Sequence, residues 1–541
     1  MDILIAASEM VPFAKTGGLA DVTGALLPAL AGKGEKVAAI IPCYRGLETR
    51  FKAAPTGIRV RIPIVQGEEA VVQEGEILEA SLPGGGSVFL VKHDGFFNRE
   101  ALYGTPDGDY SDNCARFTFF CRAVLELLKL SKWKPDVIHC HDWQTALIPI
   151  YLKTIMKDDP ALAGIKTALT IHNLGYQGKF WHWDMKVIGL PWEYFTLDYL
   201  EYYGNINLLK GGIVFADAVT TVSKGYAREI QTEELGSGLT SVIQGRSADL
   251  YGILNGIDYG IWNPAADRHL PSTFRPEDLS GKAKCKAALQ QEMGLAVQPE
   301  APLIGMISRL ADQKGFDILA ESFDALMETN AQFALLGTGE RKYHELFTDL
   351  AKKYQGRAGI RIGFDDGLAH RIEAGSDLFL MPSLYEPCGL NQMISLKYGT
   401  TPVVRATGGL DDTIQQWSPR TGKGNGFKFK PYTADDLVKT VRVALSVFSR
   451  PKEWQQLLHN GMAEDHSWSA SAAEYQELFR RMLGLKLADK KPVVAKKPAA
   501  KAKAPARKAA APKAAKRAAA KSATPRAAAR KASARKAEKT E

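Results

Sequence analysis

The chain has 541 residues, 45% hydrophobic and 24% charged, with 49 Gly and 27 Pro, an ordinary globular composition that excludes wholly disordered, collagen-like and coiled-coil chains. The net charge of +9 is uneven: residues 486–541 hold 19 Lys/Arg and 3 Asp/Glu, net +16, which leaves 50 basic and 57 acidic residues before them, net −7. A mildly acidic body does not suit nucleic-acid binding, and no stretch of about 20 apolar residues suits a bilayer span.

At roughly 150 residues per domain the length predicts about three or four domains, or fewer where α/β domains run to about 250 residues. The start, Met1-Asp2-Ile3-Leu4-Ile5, has no basic leader and reads as a strand from its first residues. A strand over 2–7 is followed by a Gly-containing loop and an amphipathic helix over 19–30. Further apolar, β-branched runs at 37–41, 136–140, 167–171 and 218–222 read as buried parallel strands. The series breaks over 255–300, which is rich in Pro, Gly and charge, and resumes at 303–307, 333–336, 360–363, 378–381 and 402–404. Strands alternating with helices predict βαβ units, and the fold class is α/β with two Rossmann-like doubly wound domains and a cleft between them. The expected domains are 1–258, a linker over 259–300, a second domain over 301–484 whose last helix crosses back to the first, and a tail over 485–541. Six cysteines (Cys43, Cys114, Cys121, Cys140, Cys285, Cys388) include no Cys-x-x-Cys pair, so neither a disulfide framework nor structural zinc is expected, and the location is expected to be cytoplasmic.

The tail, from Lys490-Lys491-Pro492 through Pro525-Arg526, is an Ala/Lys/Pro/Arg run without aromatic residues. It cannot bury enough apolar surface to offset its chain entropy and is expected to be disordered. It resembles the tails of linker-histone-like proteins. One reading is a solvated appendage. The other is polyanion or nucleic-acid capture, with a log–log salt slope near about −0.9 per phosphate. Without stacking platforms, sequence-specific single-strand recognition is not expected.

Ligands of doubly wound sheets bind beyond the carboxyl ends of the strands, and the informative residues lie there. After the first strand comes Lys15-Thr16-Gly17-Gly18-Leu19-Ala20-Asp21. Two glycines at a helix start let the backbone approach an anion, and Lys15 adds a full cation. Later strand ends carry Ile138-His139-Cys140-His141-Asp142-Trp143 and Thr170-Ile171-His172-Asn173-Leu174. In the second half, Ser308-Arg309-Leu310-Ala311-Asp312-Gln313-Lys314-Gly315 offers two cations suited to a diphosphate. Tyr385-Glu386-Pro387-Cys388-Gly389-Leu390 places a carboxylate before a helix start, and Thr407-Gly408-Gly409-Leu410-Asp411 is another Gly-Gly helix start.

Lys-Thr-Gly-Gly-Leu, His-x-His-Asp-Trp, Ile-His-Asn-Leu, Asn255-Gly256-Ile257-Asp258, Arg-Leu-x-x-Gln-Lys-Gly, Glu-Pro-Cys-Gly-Leu and Thr-Gly-Gly-Leu follow one another as in bacterial glycogen synthases and plant starch synthases. The resemblance spans residues 1–483 and leaves out the tail. Asn391 stands where some relatives have Thr. The resemblance implies the two-domain glycosyltransferase-B arrangement. It also implies transfer of glucose from ADP-glucose to the nonreducing end of an α-1,4-glucan such as glycogen, with retention of configuration. It implies that Arg309 and Lys314 neutralise the departing diphosphate and that Glu386 contacts the donor sugar as the essential acidic residue. Backbone N–H groups at Gly17, Gly18, Gly389 and Leu390 would assist. Lys15 resembles the nucleotide-sugar contact, and His172 would hold the glucose. Asp21, Asn255, Tyr103 and Asp142, with Thr407, Gly408 and Gly409, complete the expected cleft. ADP-glucose is a substrate, and no cofactor or metal is expected. UDP-glucose is the alternative donor, since diphosphate loops do not read the base. The sequence leaves oligomeric state open.

Other patterns suggest less. Asp107-Gly108-Asp109 has the Asp-x-Asp spacing of metal-dependent glycosyltransferases but lies in a turn-rich loop. His139-x-His141 lacks a distant fourth ligand for zinc. Gly337-Thr338-Gly339 lacks the third glycine of a dinucleotide loop, because position 342 is Lys342. Cys388 reads as a small packing residue, and Trp181-His182-Trp183 as either a sugar-facing patch or core.

Overall fold

The computed structural model describes residues 1–82, 85–105, 107–131 and 133–486. The tail expected from residue 485 lies outside the described residues from 487 onward.

The first sheet contains β1 (Asp2–Ala6), β2 (Lys36–Pro42), β3 (Ala54–Gln66), β4 (Glu69–Ser81), β5 (Ser87–Lys92), β6 (Val137–His141), β7 (Lys166–Ile171), β8 (Ala218–Thr221) and β9 (Leu250–Gly252). Their spatial order is β9-β8-β7-β6-β1-β2-β5-β4-β3. All neighbours are parallel except β5–β4 and β4–β3. The second sheet contains β10 (Leu303–Ile307), β11 (Gln332–Gly337), β12 (Ala358–Ile362), β13 (Leu378–Met381), β14 (Thr401–Arg405) and β15 (Phe427–Phe429), in the order β12-β11-β10-β13-β14-β15, all parallel. The helices that matter below are α1 (Gly18–Ala31), α2 (Asn113–Leu130), α3 (Lys224–Glu229), α4 (Ser280–Glu292), α5 (Phe316–Met327), α6 (Asp366–Gly375), α7 (Asn391–Lys397), α8 (Gly408–Thr413) and α9 (Trp468–Met482).

The central strands are continuous apolar runs because helices cover both faces. Ile3, Leu4, Ile5 and Ala6 of β1 are fully buried, as are Leu335 of β11 and Leu378 and Phe379 of β13. Every expected strand is present to within two residues. The antiparallel β3–β4 hairpin was not among them. In β3, Val60, Ile62 and Ile64 are buried while Arg59 and Arg61 face solvent, the period-two pattern of a sheet edge covered on one face by α2. The segment over 255–300 also holds more structure than its composition suggests. Its helix α4 lies against α6, where the buried Lys282 donates to the carbonyls of Ala374 (3.0 Å) and Tyr398 (3.1 Å) and to Thr400 Oγ1 (2.7 Å). Helix α9 packs on the first lobe: Tyr475 and Phe479 are fully buried beside His139, and Ser471 donates to the Leu254 carbonyl at 2.6 Å.

Each sheet has a point where chain order reverses, and the crevice there receives ligands. In the first sheet it lies between the carboxyl ends of β1 and β6, and in the second between those of β10 and β13. The lobes meet where α3 crosses α8. A Cβ on Gly225 would stand 2.4 Å from the Gly408 carbonyl oxygen, so the helices touch through backbone. Glu229 Oε1 accepts from the Gly408 amide (2.8 Å) and Thr407 Oγ1 (3.0 Å), Asp412 Oδ2 accepts from the Gly225 amide (2.6 Å), and Ser223 Oγ donates to the Pro387 carbonyl (2.6 Å).

Candidate active site

Beyond β1, the chain winds around one carboxylate that sequence reasoning missed. Glu9 is 4% exposed and accepts from the Thr16 amide (2.5 Å), Thr16 Oγ1 (2.6 Å), the Gly17 amide (3.1 Å) and Tyr103 Oη (2.7 Å). Its only sequence signal is an acidic residue shortly after an apolar strand end. Two expectations change. The Gly17 amide is already engaged, which leaves that of Gly18 at the start of α1 without a partner among the described residues. Tyr103 serves Glu9 and Ser8 (2.7 Å) with its hydroxyl, and burial pushes that hydroxyl well up. A Cβ at Gly17 or Gly18 would meet nothing within 4 Å, so no protein packing requires glycine there and the space beside the loop is open. Lys15, about half exposed, pairs with Asp21 at 2.7 Å; burial raises the Asp21 carboxyl and Lys15 offsets part of the rise.

At the ends of β6 and β7 the geometry is a relay of neutral imidazoles. His139 pairs with Thr170 Oγ1 (2.6 Å), and His141 Nδ1 with His172 Nε2 (2.9 Å). Burial pushes His139 and His172 down to about 3 and His141 well below the ordinary range, so all three are uncharged at neutral pH. One nitrogen of each strand histidine is paired in this way, while His139 Nδ1 and His141 Nε2 are buried with no partner among the described residues. Asp142 adopts φ 56°, which turns its carboxylate back to accept the His172 amide at 2.7 Å. Burial pushes that carboxyl up to about 7 against the opposing hydrogen bonds of His172 and Asn173. Asp142 thus sets the backbone that presents His172. His172 Nδ1 bonds to no described residue.

The second lobe supplies the charges. Lys314 Nζ lies 2.6 Å from Glu386 Oε2, with side-chain exposures of 21% and 8%, and Ser383 Oγ donates to the same oxygen at 3.0 Å. Gly315 has φ 76°, and a Cβ there would stand 2.1 Å from the Pro382 carbonyl oxygen; this contact draws the Lys314 turn onto the β13 loop. Arg309 is exposed and donates to Gln313 Oε1 (3.2 Å), whose Nε2 reaches the Tyr385 carbonyl (3.3 Å). The Gly337-Thr338-Gly339 stretch has a packing role: Cβ atoms at its glycines would lie 2.2 Å from the carbonyls of Ser308 and Leu310. Gly389 has φ 70°, and the amides of Gly389 and Leu390 have no partner among the described residues. Asn391 Nδ2 reaches across the crevice to the Ile307 carbonyl at 3.3 Å.

Thr407, Gly408, Gly409, Asn255 and Cys388 lie in the seam between the lobes. The amides of Gly408 and Gly409 are taken by Glu229 (2.8 Å) and the Glu386 carbonyl (3.1 Å), so with Thr407 they form the seam between lobes and leave no open anion site at that helix start. Asn255 and Cys388 are both buried in this seam. Burial, with the Glu386 charge adding to it, pushes the Cys388 thiol up to about 12 against the hydrogen bonding of Asn255. Asp107 and Asp109 are exposed, Asp107 in a turn and Asp109 in a two-residue strand paired with Gly104–Thr105, and Trp181 and Trp183 are solvent-facing rather than core.

The family model described as starch synthase catalytic domain matches residues 2–245, and that described as glycosyl transferases group 1 matches 291–456. The chain is 48% identical to the glycogen synthase of Koribacter versatilis, over 89% of this chain and 98% of the relative. It is 45% identical to glycogen synthase 1 of Geobacter sulfurreducens, over 90% and 97%. Among solved structures, it is similar to the catalytic domain of starch synthase IV from Arabidopsis thaliana bound to ADP and acarbose, with a TM-score of 0.80 and 34% identity over 89% of this chain and 99% of that one. Sucrose-phosphate synthase from Thermosynechococcus elongatus superimposes with a TM-score of 0.55 at 14% identity over 89% and 99%, a likeness of fold alone.

Proposed function

The chain belongs to the glycogen synthase and starch synthase family of two-domain glycosyltransferases, and from that membership we propose that it moves glucose from ADP-glucose to the nonreducing end of an α-1,4-glucan, retaining configuration and releasing ADP. The observation that carries this reading is the Lys314–Glu386 pair at 2.6 Å, set at the second sheet's crevice beside the open amides of Gly389 and Leu390. As the glycosyl bond opens, negative charge gathers on the leaving diphosphate. Lys314, the exposed Arg309 and those amides meet it with preorganised positive charge. Glu386 faces the donor sugar, where its carboxylate favours the oxocarbenium-like centre. Uncharged His172 donates or accepts a sugar hydrogen bond without adding charge that would oppose that centre. Lys15 and the Gly18 amide approach from the first lobe. The acceptor hydroxyl attacks on the face from which the diphosphate leaves.

The ADP seen in the starch synthase IV relative supports the choice of donor. Release of nucleoside diphosphate from ADP-glucose or UDP-glucose, with glycogen as acceptor, tests it: faster turnover with UDP-glucose would overturn the donor assignment. Six free, buried cysteines suit a reducing, cytoplasmic setting. The net charge of +16 over 486–541 supports polyanion capture as an accessory property of the tail.

A further inference from the structure

Away from the diphosphate site, two histidines and an aspartate from separate stretches of chain converge. We propose that His269, Asp366 and His370 form a binding site for a divalent cation of the zinc class, which ties the connection between the two sheets to helix α6. One ligand atom from each residue lies within 4.8 Å of the others.

His370 is prepared for this role. It is 2% exposed, its Nδ1 lies 2.6 Å from Asp267 Oδ2, and the Tyr398 hydroxyl donates to that same oxygen at 2.5 Å. The Trp262 ring stacks on the imidazole with centroids 3.8 Å apart and planes 6° apart. A buried carboxylate on one ring nitrogen fixes the tautomer and aims the other nitrogen as a lone-pair donor, the arrangement found behind metal-bound histidines. Nε2 bonds to no described residue. Asp267 also accepts the His269 amide through Oδ1 at 2.9 Å, so one carboxylate anchors both histidines. His269 Nδ1 lies 3.3 Å from where a Cβ on Gly367 would stand, which brings it over the start of α6 next to Asp366. Asp366 and His370 are four residues apart on one helix and share a face. The Asp366 carboxylate is exposed and bonds to no described residue.

Nitrogen and oxygen ligands at about 2.1 Å in tetrahedral geometry stand about 3.4 Å apart. The spread of up to 4.8 Å closes through rotamer changes of the exposed Asp366 and the half-buried His269, while His370 stays fixed. Two imidazoles and one carboxylate select zinc-class ions over magnesium or calcium, which prefer oxygen. A fourth position remains for water.

The untagged full-length chain, stripped with a chelator, is titrated with Zn²⁺ in competition with a chromogenic chelator and, separately, with Co²⁺ to record its visible absorption. One equivalent of Zn²⁺ is expected, with a rise in Tm and the strong Co²⁺ bands of a four-coordinate site. Asp366→Ala and His269→Ala, both away from the core, are expected to weaken binding at least about tenfold and to abolish those bands. Failure to take up one equivalent would overturn the site, as would affinity unchanged in both variants. Glucosyl transfer plays no part in these readouts, so the result is independent of the proposed reaction.

Discussion

Replacing Glu386 by Gln removes one negative charge at almost constant volume. The lost partner is Lys314 at 2.6 Å, and the Ser383 hydroxyl at 3.0 Å can still bond to the amide. Breaking a fully buried ion pair costs about 3–5 kcal/mol, and an exposed pair about 0–1. Glu386 is 8% exposed but Lys314 is 21% exposed at the crevice, so water reaches the orphaned ammonium and the expected loss is about 1–2 kcal/mol. A stability of about 5–15 kcal/mol absorbs this, and Tm falls by only a few degrees. In the proposed reaction, turnover should respond far more. Loss of about 3 kcal/mol of transition-state stabilisation lowers kcat by roughly a hundredfold. Steady-state ADP release from ADP-glucose with glycogen as acceptor, alongside scanning calorimetry, separates the two effects. A folded Glu386→Gln enzyme with kcat within about threefold of the parent would remove this carboxylate from the reaction.

If Arg309 and Lys314 meet the leaving diphosphate as proposed, Arg309→Ala and Lys314→Ala should each lower kcat by more than about tenfold, because that charge would grow during bond breaking; a rise in KM alone would show uniform ground-state binding. Gly225→Ala puts a methyl 2.4 Å from the Gly408 carbonyl and must part α3 from α8, with an expected cost of about 1–3 kcal/mol; an unchanged Tm would refute that contact. His139 and His172, held near 3 by burial, stay neutral in the fold while the unfolded chain protonates them below about 6.5. Stability from these two therefore falls as pH drops from about 6.5 toward 3, by about 1.4 kcal/mol per unit for each. Asp142, pushed up to about 7, acts in the opposite sense: the folded carboxyl keeps its proton from about pH 4 to 7, and that stabilisation is lost as pH rises. Asp142→Asn should steepen the rise of urea-measured stability between about pH 5 and 6.5 by about 1.4 kcal/mol per unit, and an unaltered slope would contradict the raised carboxyl. A chain ending at Leu485 should keep glucosyl transfer and lose retention on a DNA column; equal retention of both chains at all salt concentrations would refute polyanion capture by the tail.

The two doubly wound sheets were legible from the residues alone, because a central parallel strand is an unbroken apolar run and the loop beyond it carries the polar residues. The sequence also marked Lys15, Arg309, Lys314 and Glu386, each in a short motif at such a loop. The β3–β4 edge and α4 were harder to read. Their apolar residues alternate or scatter, and only packing against α2 and α6 makes them regular. Tertiary structure alone decided which charges pair. Glu386 meets Lys314, Glu9 closes on Thr16, Gly17 and Tyr103, Glu229 caps α8, and Asp267 aligns His370. Apart from Glu9 with Thr16 and Gly17, these partners are far apart in the chain, so no periodicity or spacing links them. The low dielectric that makes the contacts consequential exists only after the sheets have folded together.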